Sequence, residues 1–208
     1  MQWATGGKKY CYHGALFYDC LLSMNDVIRF LQQRNSAPKL CAPAPGESEL
    51  QEIFRAALRV PDHAWLRPWR FITISGERRE AFGELLADSL QQRDPAADEA
   101  ALAKARKAPL RAPLMVITVV RLVEHPKVPP IEQRLSAGCA AYAILLASEA
   151  LGYAGIWRTG AAAFDRSVMD GLHLAADEEI AAILYLGSRE ANPKPVPALD
   201  TADYVSAW

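Results

Sequence analysis

The chain has 208 residues, of which 51% are hydrophobic and 23% charged. This is a globular composition, and it argues against a disordered, collagen-like or coiled-coil chain. Lys and Arg number 23 against 24 Asp and Glu, a net charge of −1, so there is no general attraction for nucleic acid or an anionic membrane surface.

Residues 1–23 differ in character from the rest of the chain. Lys8 and Lys9 precede an apolar stretch that His13 and Asp19 interrupt, which fits a signal peptide poorly. One reading is a poorly ordered N-terminal extension or an over-called start with Met24 as the natural initiator; the other is a short anchor or targeting sequence. From Asn25 to Gln33 the residues Val27, Ile28, Phe30 and Leu31 fall on one helical stripe. Pro43-Ala44-Pro45-Gly46 ends that unit. A second helix comes next, with Ser48 and Gln51 spaced as a capping box and Leu50, Ile53, Phe54, Ala57 and Leu58 facing inward. Pro61 stops it, and the loop from Pro61 to Trp69 is too aromatic and basic to be a mere connection.

Phe71 to Ser75 reads as a strand closed by Gly76. Glu77–Arg93 and Ala96–Lys107 read as two surface helices around Asp94-Pro95. Leu114 to Val123 is nearly all aliphatic and β-branched, a strand buried on both faces. Glu132 to Leu151 is a long apolar helix whose small residues, Ala137, Gly138, Ala140 and Ala141, permit close approach to another helix. Its longest uncharged run, Leu135 to Ser148, is too short to span a bilayer, so no membrane and a cytoplasmic location are expected. Ala154–Arg158 is a short strand, Asp165–Leu172 a helix and Ile180–Leu186 a second buried strand. Asn192 to Pro197 is a proline-rich tail that drapes over something else. Helices first, then strands and helices interleaved, predict an α+β fold with a small mixed sheet.

The four cysteines, at 11, 20, 41 and 139, form no CxxC and read as reduced thiols, with Cys139 packing as a small hydrophobe. The four histidines, at 13, 63, 125 and 173, have no ligand spacing, so no metal is expected. Nucleophile-elbow, zincin, P-loop and dinucleotide signatures are absent. There remains a scatter of basic and aromatic residues at element ends. Arg34-Asn35-Ser36 closes the first helix, Arg59 and His63 bracket Pro61-Asp62, and Trp157-Arg158-Thr159 ends a strand. Guanidinium groups with hydroxyls suit a phosphorylated ligand bearing a flat aromatic part. Each residue also has a plainer role: Arg34 as a solvated helix-end charge, His63 as a loop hydrogen-bonder, Trp69 and Trp157 as core.

Arg34-Asn35-Ser36-Ala37, Arg59-Val60-Pro61-Asp62-His63, Arg67-Pro68-Trp69, Ser136-Ala137-Gly138, Gly155 to Gly160 and Leu184-Tyr185-Leu186-Gly187 occur in an order that resembles the nitroreductase family, in its short bacterial NAD(P)H branch. The resemblance runs from about Met24 to the C-terminus, making 24–208 one domain. It implies a three-layer α+β fold, a small mixed central sheet flanked by helices, in an intertwined homodimer. It implies FMN at the dimer interface, NADH or NADPH as electron donor, and a nitroaromatic, quinone or similar small-molecule acceptor. Carried over residue by residue, the cofactor-binding set is Arg34, Asn35 and Ser36, then Arg59 and His63, then Trp157, Arg158 and Thr159, with Arg189 or Lys194 on the phosphate. The resemblance makes hydride transfer the work of flavin N5, His63 a candidate proton donor beside solvent, and Arg59 a candidate for tuning the reduced flavin. Asn35 departs from the family's Arg-Arg-Ser, which keeps open an FMN-binding module without turnover; a flavin-free dimerisation domain is a third reading.

Overall fold

The structure, a computed structural model, describes residues Met24–Trp208; the expectations for residues 1–23 lie outside the described residues. Its chain falls into two compact units, one ending at Gln32 and the other running from Gln33 to Trp208. Helix α1, Met24–Gln33, is strongly amphipathic, with Val27, Ile28 and Leu31 along one side as the spacing predicts.

In the second unit, β1 (Leu40–Cys41) leads to α2 (Glu47–Ala57), β2 (Trp69–Ser75), α3 (Arg78–Arg93), α4 (Glu99–Lys107) and β3 (Leu114–Arg121). Then come α5 (Pro130–Ala150), β4 (Ala154–Trp157), α6 (Arg166–Gly171) and β5 (Glu178–Arg189). The sheet order is β1-β5-β3-β2, with β4 also on β5. Two apolar clusters, one on each face, make the expected three layers. Met115, Ile117, Val119, Ile183 and Tyr185 face Phe82 and Leu86 of α3 and Val168 and Met169 of α6. Leu114, Val116, Val120, Leu184 and Leu186 face Ile53 and Ala57 of α2 and Ala137, Ala140, Ala141 and Ile144 of α5. The alanines of α5 thus do allow close approach, to α2 and to the sheet beneath.

The mixed sheet expected from the alternation of strands and helices is not what forms: every described pairing is antiparallel. The connections explain this. The helical pair α3–α4 carries the chain out from Ser75 and back to Leu114, its cross-strand partner, so β3 must reverse β2. The single helix α5 does produce β3 and β4 running the same way, but β5 lies between them and is antiparallel to both. The unbroken apolar run of β3 reflects helices on both faces rather than parallel neighbours.

Smaller expectations also change. The α2 N-terminus is capped at Gly46, whose amide donates to the Glu49 carboxylate at 2.8 Å, so Ser48 and Gln51 are not the capping pair. Leu58, beyond the last turn of α2, is exposed rather than inward. Cys139 lies on the exposed side of α5, because the run of small residues around it belongs to a helix with only one face on the sheet. Trp69 is core, whereas Trp157 is 39% exposed. A polar residue holds the β3–α5 connection: the buried Gln133 accepts from the Val123 amide at 2.9 Å and donates to the Val123 and Val128 carbonyls at 2.8 and 3.2 Å.

Candidate functional site

The first motif and the end of β5 meet. Leu40 of β1 pairs with Arg189, which brings residues 34–39 alongside the chain leaving β5. Arg189 donates to the Asn35 carbonyl at 2.9 Å, and the Asn35 side-chain amide donates to the Lys194 carbonyl at 2.7 Å. Arg34 donates to the Ser36 hydroxyl at 3.3 Å, so it is not simply a solvated helix-end charge. Ser36, Lys39, Arg189 and Lys194 line a recess of about 210 Å³. Arg189 and Lys194 therefore border the same recess. Glu149, 3.7 Å from Arg189, offsets part of the positive charge. Lys39 is a member that the motif reading passes over; its signal is its position immediately before the residue that pairs with Arg189.

The third motif adjoins this recess. The Ala37 amide donates to the Gly155 carbonyl at 3.0 Å, tying the first motif to β4. At Gly155 a Cβ would stand 2.7 Å from Leu145 Cδ2, 2.8 Å from Leu186 Cδ2 and 3.1 Å from the Tyr185 carbonyl oxygen, so a larger residue there has to push both leucine side chains aside. Two residues on, Trp157 donates from Nε1 to the Thr159 hydroxyl at 2.5 Å, which fixes the indole plane near Gly138 of α5. The Arg158 amide donates to the Ile183 carbonyl at 2.9 Å, and Gly160 turns the chain at a φ of 74° that favours glycine. Burial pushes the Tyr185 phenol up, partly offset by the charges of Arg111 and Arg158.

The second motif lies elsewhere. Trp69, just after it, pairs with Val120, itself level with Glu179 near the start of β5. Arg189 ends the same strand, roughly 30 Å along it at about 3.3 Å per residue. One chain therefore does not bring Arg59 and His63 to the Arg34–Arg189 recess. Arg59 instead borders a separate recess of about 410 Å³ with Leu58, Asp62, Trp65, Arg67 and Trp69. His63 Nδ1 is 2.7 Å from Glu132 at the start of α5, and the Ser136 hydroxyl donates to the Pro61 carbonyl, so the loop is fastened to α5 at two points. Glu132 is a partner that sequence spacing, at 69 residues' remove, gives no means of finding.

Among the described residues no group of His, Cys, Asp or Glu could hold a metal ion, and no helix is long and apolar enough to cross a membrane. The geometry offers a cationic recess with a serine hydroxyl, tied through Ala37 to the strand that ends in Trp157, and a second recess of arginines and indoles at the other end of the sheet.

A sequence model of the Nitroreductase family matches residues 31–188. The protein of Escherichia coli K12 named "Putative NAD(P)H nitroreductase YdjA" is 39% identical over 179 residues, covering 83% of this chain and 97% of that protein. The "Putative NAD(P)H nitroreductase" of Haemophilus influenzae is 35% identical over 184 residues, covering 87% and 98%. Among solved structures, the nitroreductase-like family protein of Bacillus cereus superposes with a TM-score of 0.74 at 17% identity, covering 94% of this chain and 99% of that one. The FMN-dependent nitroreductase of Clostridium difficile R20291 does so at 0.63 and 20%, covering 86% and 98%. By sequence over most of its length, and with a fold to match, the chain belongs to the nitroreductase family.

Proposed function

We propose that the protein is an oxidoreductase that holds FMN, takes two electrons from NADH or NADPH and passes them to nitroaromatic, quinone or similar small acceptors. The observation that carries this is the recess lined by Ser36, Lys39, Arg189 and Lys194, with Arg34 on the Ser36 hydroxyl and Ala37 tied to β4, the strand that ends in Trp157. A phosphate monoester needs clustered cations and donors, which this recess supplies, and a flavin ring needs an apolar wall, for which Trp157 on the tethered β4 is the candidate. The likeness to proteins named for NAD(P)H and for FMN supports the same reading. When bound, the flavin supplies the two-electron chemistry.

The chain's own residues supply the setting. Arg34, Arg189, Lys39 and Lys194 neutralise the phosphate, and the Ser36 hydroxyl adds a donor. The Thr159 hydroxyl keeps the Trp157 indole in one orientation, and the Arg158–Ile183 hydrogen bond holds the adjoining backbone rigid. His63, with its Nδ1 already on Glu132, has Nε2 left to hold or deliver a proton to the acceptor.

The same geometry calls for a homodimer. Arg59 and His63 of one copy lie at the end of the sheet remote from Arg189, so a partner is needed to bring both motifs to one cofactor. Exposed Ile131, Leu135 and Tyr142 on α5, and Tyr204, Val205 and Trp208 in the tail, supply apolar surface for that partner. We assign the domain to residues 24–208 and the location to the cytoplasm.

Purified protein should be yellow, or become so with FMN; it should bleach anaerobically with NADH or NADPH and recover colour on adding a nitroaromatic. Protein that stays colourless after incubation with FMN would end this reading. The second reading, an FMN-binding module without turnover, draws on Asn35, whose amide is spent on Lys194 where a cation would add to phosphate binding. It is chosen over the first if bound flavin is not reduced by either nucleotide.

A further inference from the structure

We propose that Glu132, in the first turn of α5, is the positioning residue of His63: its carboxylate keeps a ring proton on Nδ1 and leaves Nε2 as the one nitrogen that takes up and gives back a proton. This deepens the oxidoreductase reading, on which the role of His63 toward a flavin rests, and gives the work to a residue outside the ordered motifs.

The contact is built from the helix. Pro130 opens α5, and Glu132 stands in its first turn, a place that suits a carboxylate. Its Oε2 lies 2.7 Å from His63 Nδ1. An ionised carboxylate only accepts, so the single proton of a neutral imidazole has to sit on Nδ1. Nε2 lies across the ring from that carboxylate, and no described residue takes it. The carboxylate is also uncontested. Asp177, Glu178 and Glu179, at the same end of the sheet, are held by Arg121, Arg70 and Arg134. Arg134 is two residues beyond Glu132 and yet turns to Glu179. Among the described residues, His63 is the one basic side chain paired with Glu132.

The ring reaches Glu132 because its backbone is held there. Ser136 comes one helical turn after Glu132, on the same face of α5, and its buried hydroxyl donates to the Pro61 carbonyl. On the other side of His63, the Asp62 carboxylate accepts from the Arg67 amide at 2.9 Å and closes the turn. Within that turn Ala64 and Trp65 are left-handed, with φ of 59° and 56°. Non-glycine residues stay in that region only where their surroundings hold them, and they cluster at functional sites. A pair of free surface side chains loses most of its gain to the cost of ordering both; here the loop is ordered before the ring contact forms. Both side chains remain about half exposed, so Nε2 is open to a ligand.

The test reads the tautomer and the chemistry separately. In long-range proton–nitrogen NMR of the histidine rings of FMN-loaded protein, the His63 signals are those lost in H63Q. At a pH where the ring is neutral, the wild type should show Nδ1–H with a bare Nε2. In E132Q, whose amide can turn either its oxygen or its nitrogen to the ring, the Nε2–H form should appear beside it; E132D should keep part of the Nδ1–H bias. Stopped-flow reoxidation of the reduced flavin by a nitroaromatic should slow at least about tenfold in E132Q. In an H63Q background the same change should cost no more than about twofold, since residues that act through one atom are not additive. Nε2–H in the wild type, a tautomer or a reoxidation rate unmoved in E132Q, or losses that multiply in the double variant would overturn the proposal. The tautomer is read equally in protein that takes up no FMN. Flavin that is absent or never reduced would therefore end the oxidoreductase reading, with the wild-type and E132Q tautomers still deciding whether Glu132 positions the ring.

Discussion

Glu178 offers the sharpest quantitative test of how the sheet is held at the end near the second motif. Its side chain is 8% exposed, and both oxygens accept from Arg70 of β2 at 2.6 Å. The Arg70 guanidinium, aided by the Ala175 amide and opposed by burial, holds the Glu178 carboxyl down from 4.5 to about 2. At about 1.4 kcal/mol per tenfold change in proton affinity this corresponds to about 3 kcal/mol. Arg70 is 41% exposed, and water screening reduces the figure to about 2 kcal/mol. Glu178→Gln should therefore lower stability at neutral pH by about 2 kcal/mol, or about 4–8 °C in Tm for a domain of this size. Because the folded-state value is the lower one, the contribution is complete above the ordinary carboxylate range and fades as pH falls from about 4.5 towards 2. Urea denaturation of wild type and variant should show the gap at about pH 7 narrowing by about 1 kcal/mol by about pH 3.5. A gap of equal size at both pH values would mean that shape, not charge, makes Glu178 matter; no gap at neutral pH would refute the ion-pair argument outright.

The packing and the site set three further expected outcomes. Gly155→Ala must displace the Leu145 and Leu186 side chains, and should cost about 1–3 kcal/mol and lower the fraction of protein that retains FMN, since the Gly155 carbonyl accepts from Ala37, which lines the recess; thermal melts and visible absorbance check both. Gln133→Leu strands the Val123 amide and the Val123 and Val128 carbonyls and should destabilise by about 2–4 kcal/mol, measured by urea denaturation. Arg189→Gln removes a charge-assisted contact and should weaken FMN by about tenfold to a hundredfold in a flavin-fluorescence titration, with a shallower salt dependence than the wild type; unchanged affinity would remove Arg189 from the site.

The elements are legible in the sequence wherever periodicity or composition is strong. The aliphatic run of β3, the amphipathic stripe of α1 and the helices around Asp94-Pro95 all stand within a few residues of expectation. The direction of the strands is not legible, because a β-α-β order is compatible with a third strand inserted between the other two, and only the register of β5 reveals that insertion. Cys139 and Trp157 depart from expectation because hydrophobic character predicts burial somewhere, not burial within one chain. At the site, the ordered motifs mark the segments that border the two recesses, yet the place of Lys39 and the pairing of His63 with Glu132 depend on which residues fold nearby. Ion pairs such as Arg70 with Glu178, 108 residues apart, leave no local pattern in a sequence.

The two cross-ties between residues 34–36 and the chain beyond β5 make the termini of this domain mechanically a single object. Asn35 grips Lys194 and Arg189 grips Asn35, although 159 and 154 residues of chain intervene. An affinity tag, a truncation or a proteolytic nick past Gly187 is therefore equivalent to a mutation in the Arg34-Asn35-Ser36 turn, and cofactor retention becomes a gauge of whether the C-terminal segment is intact.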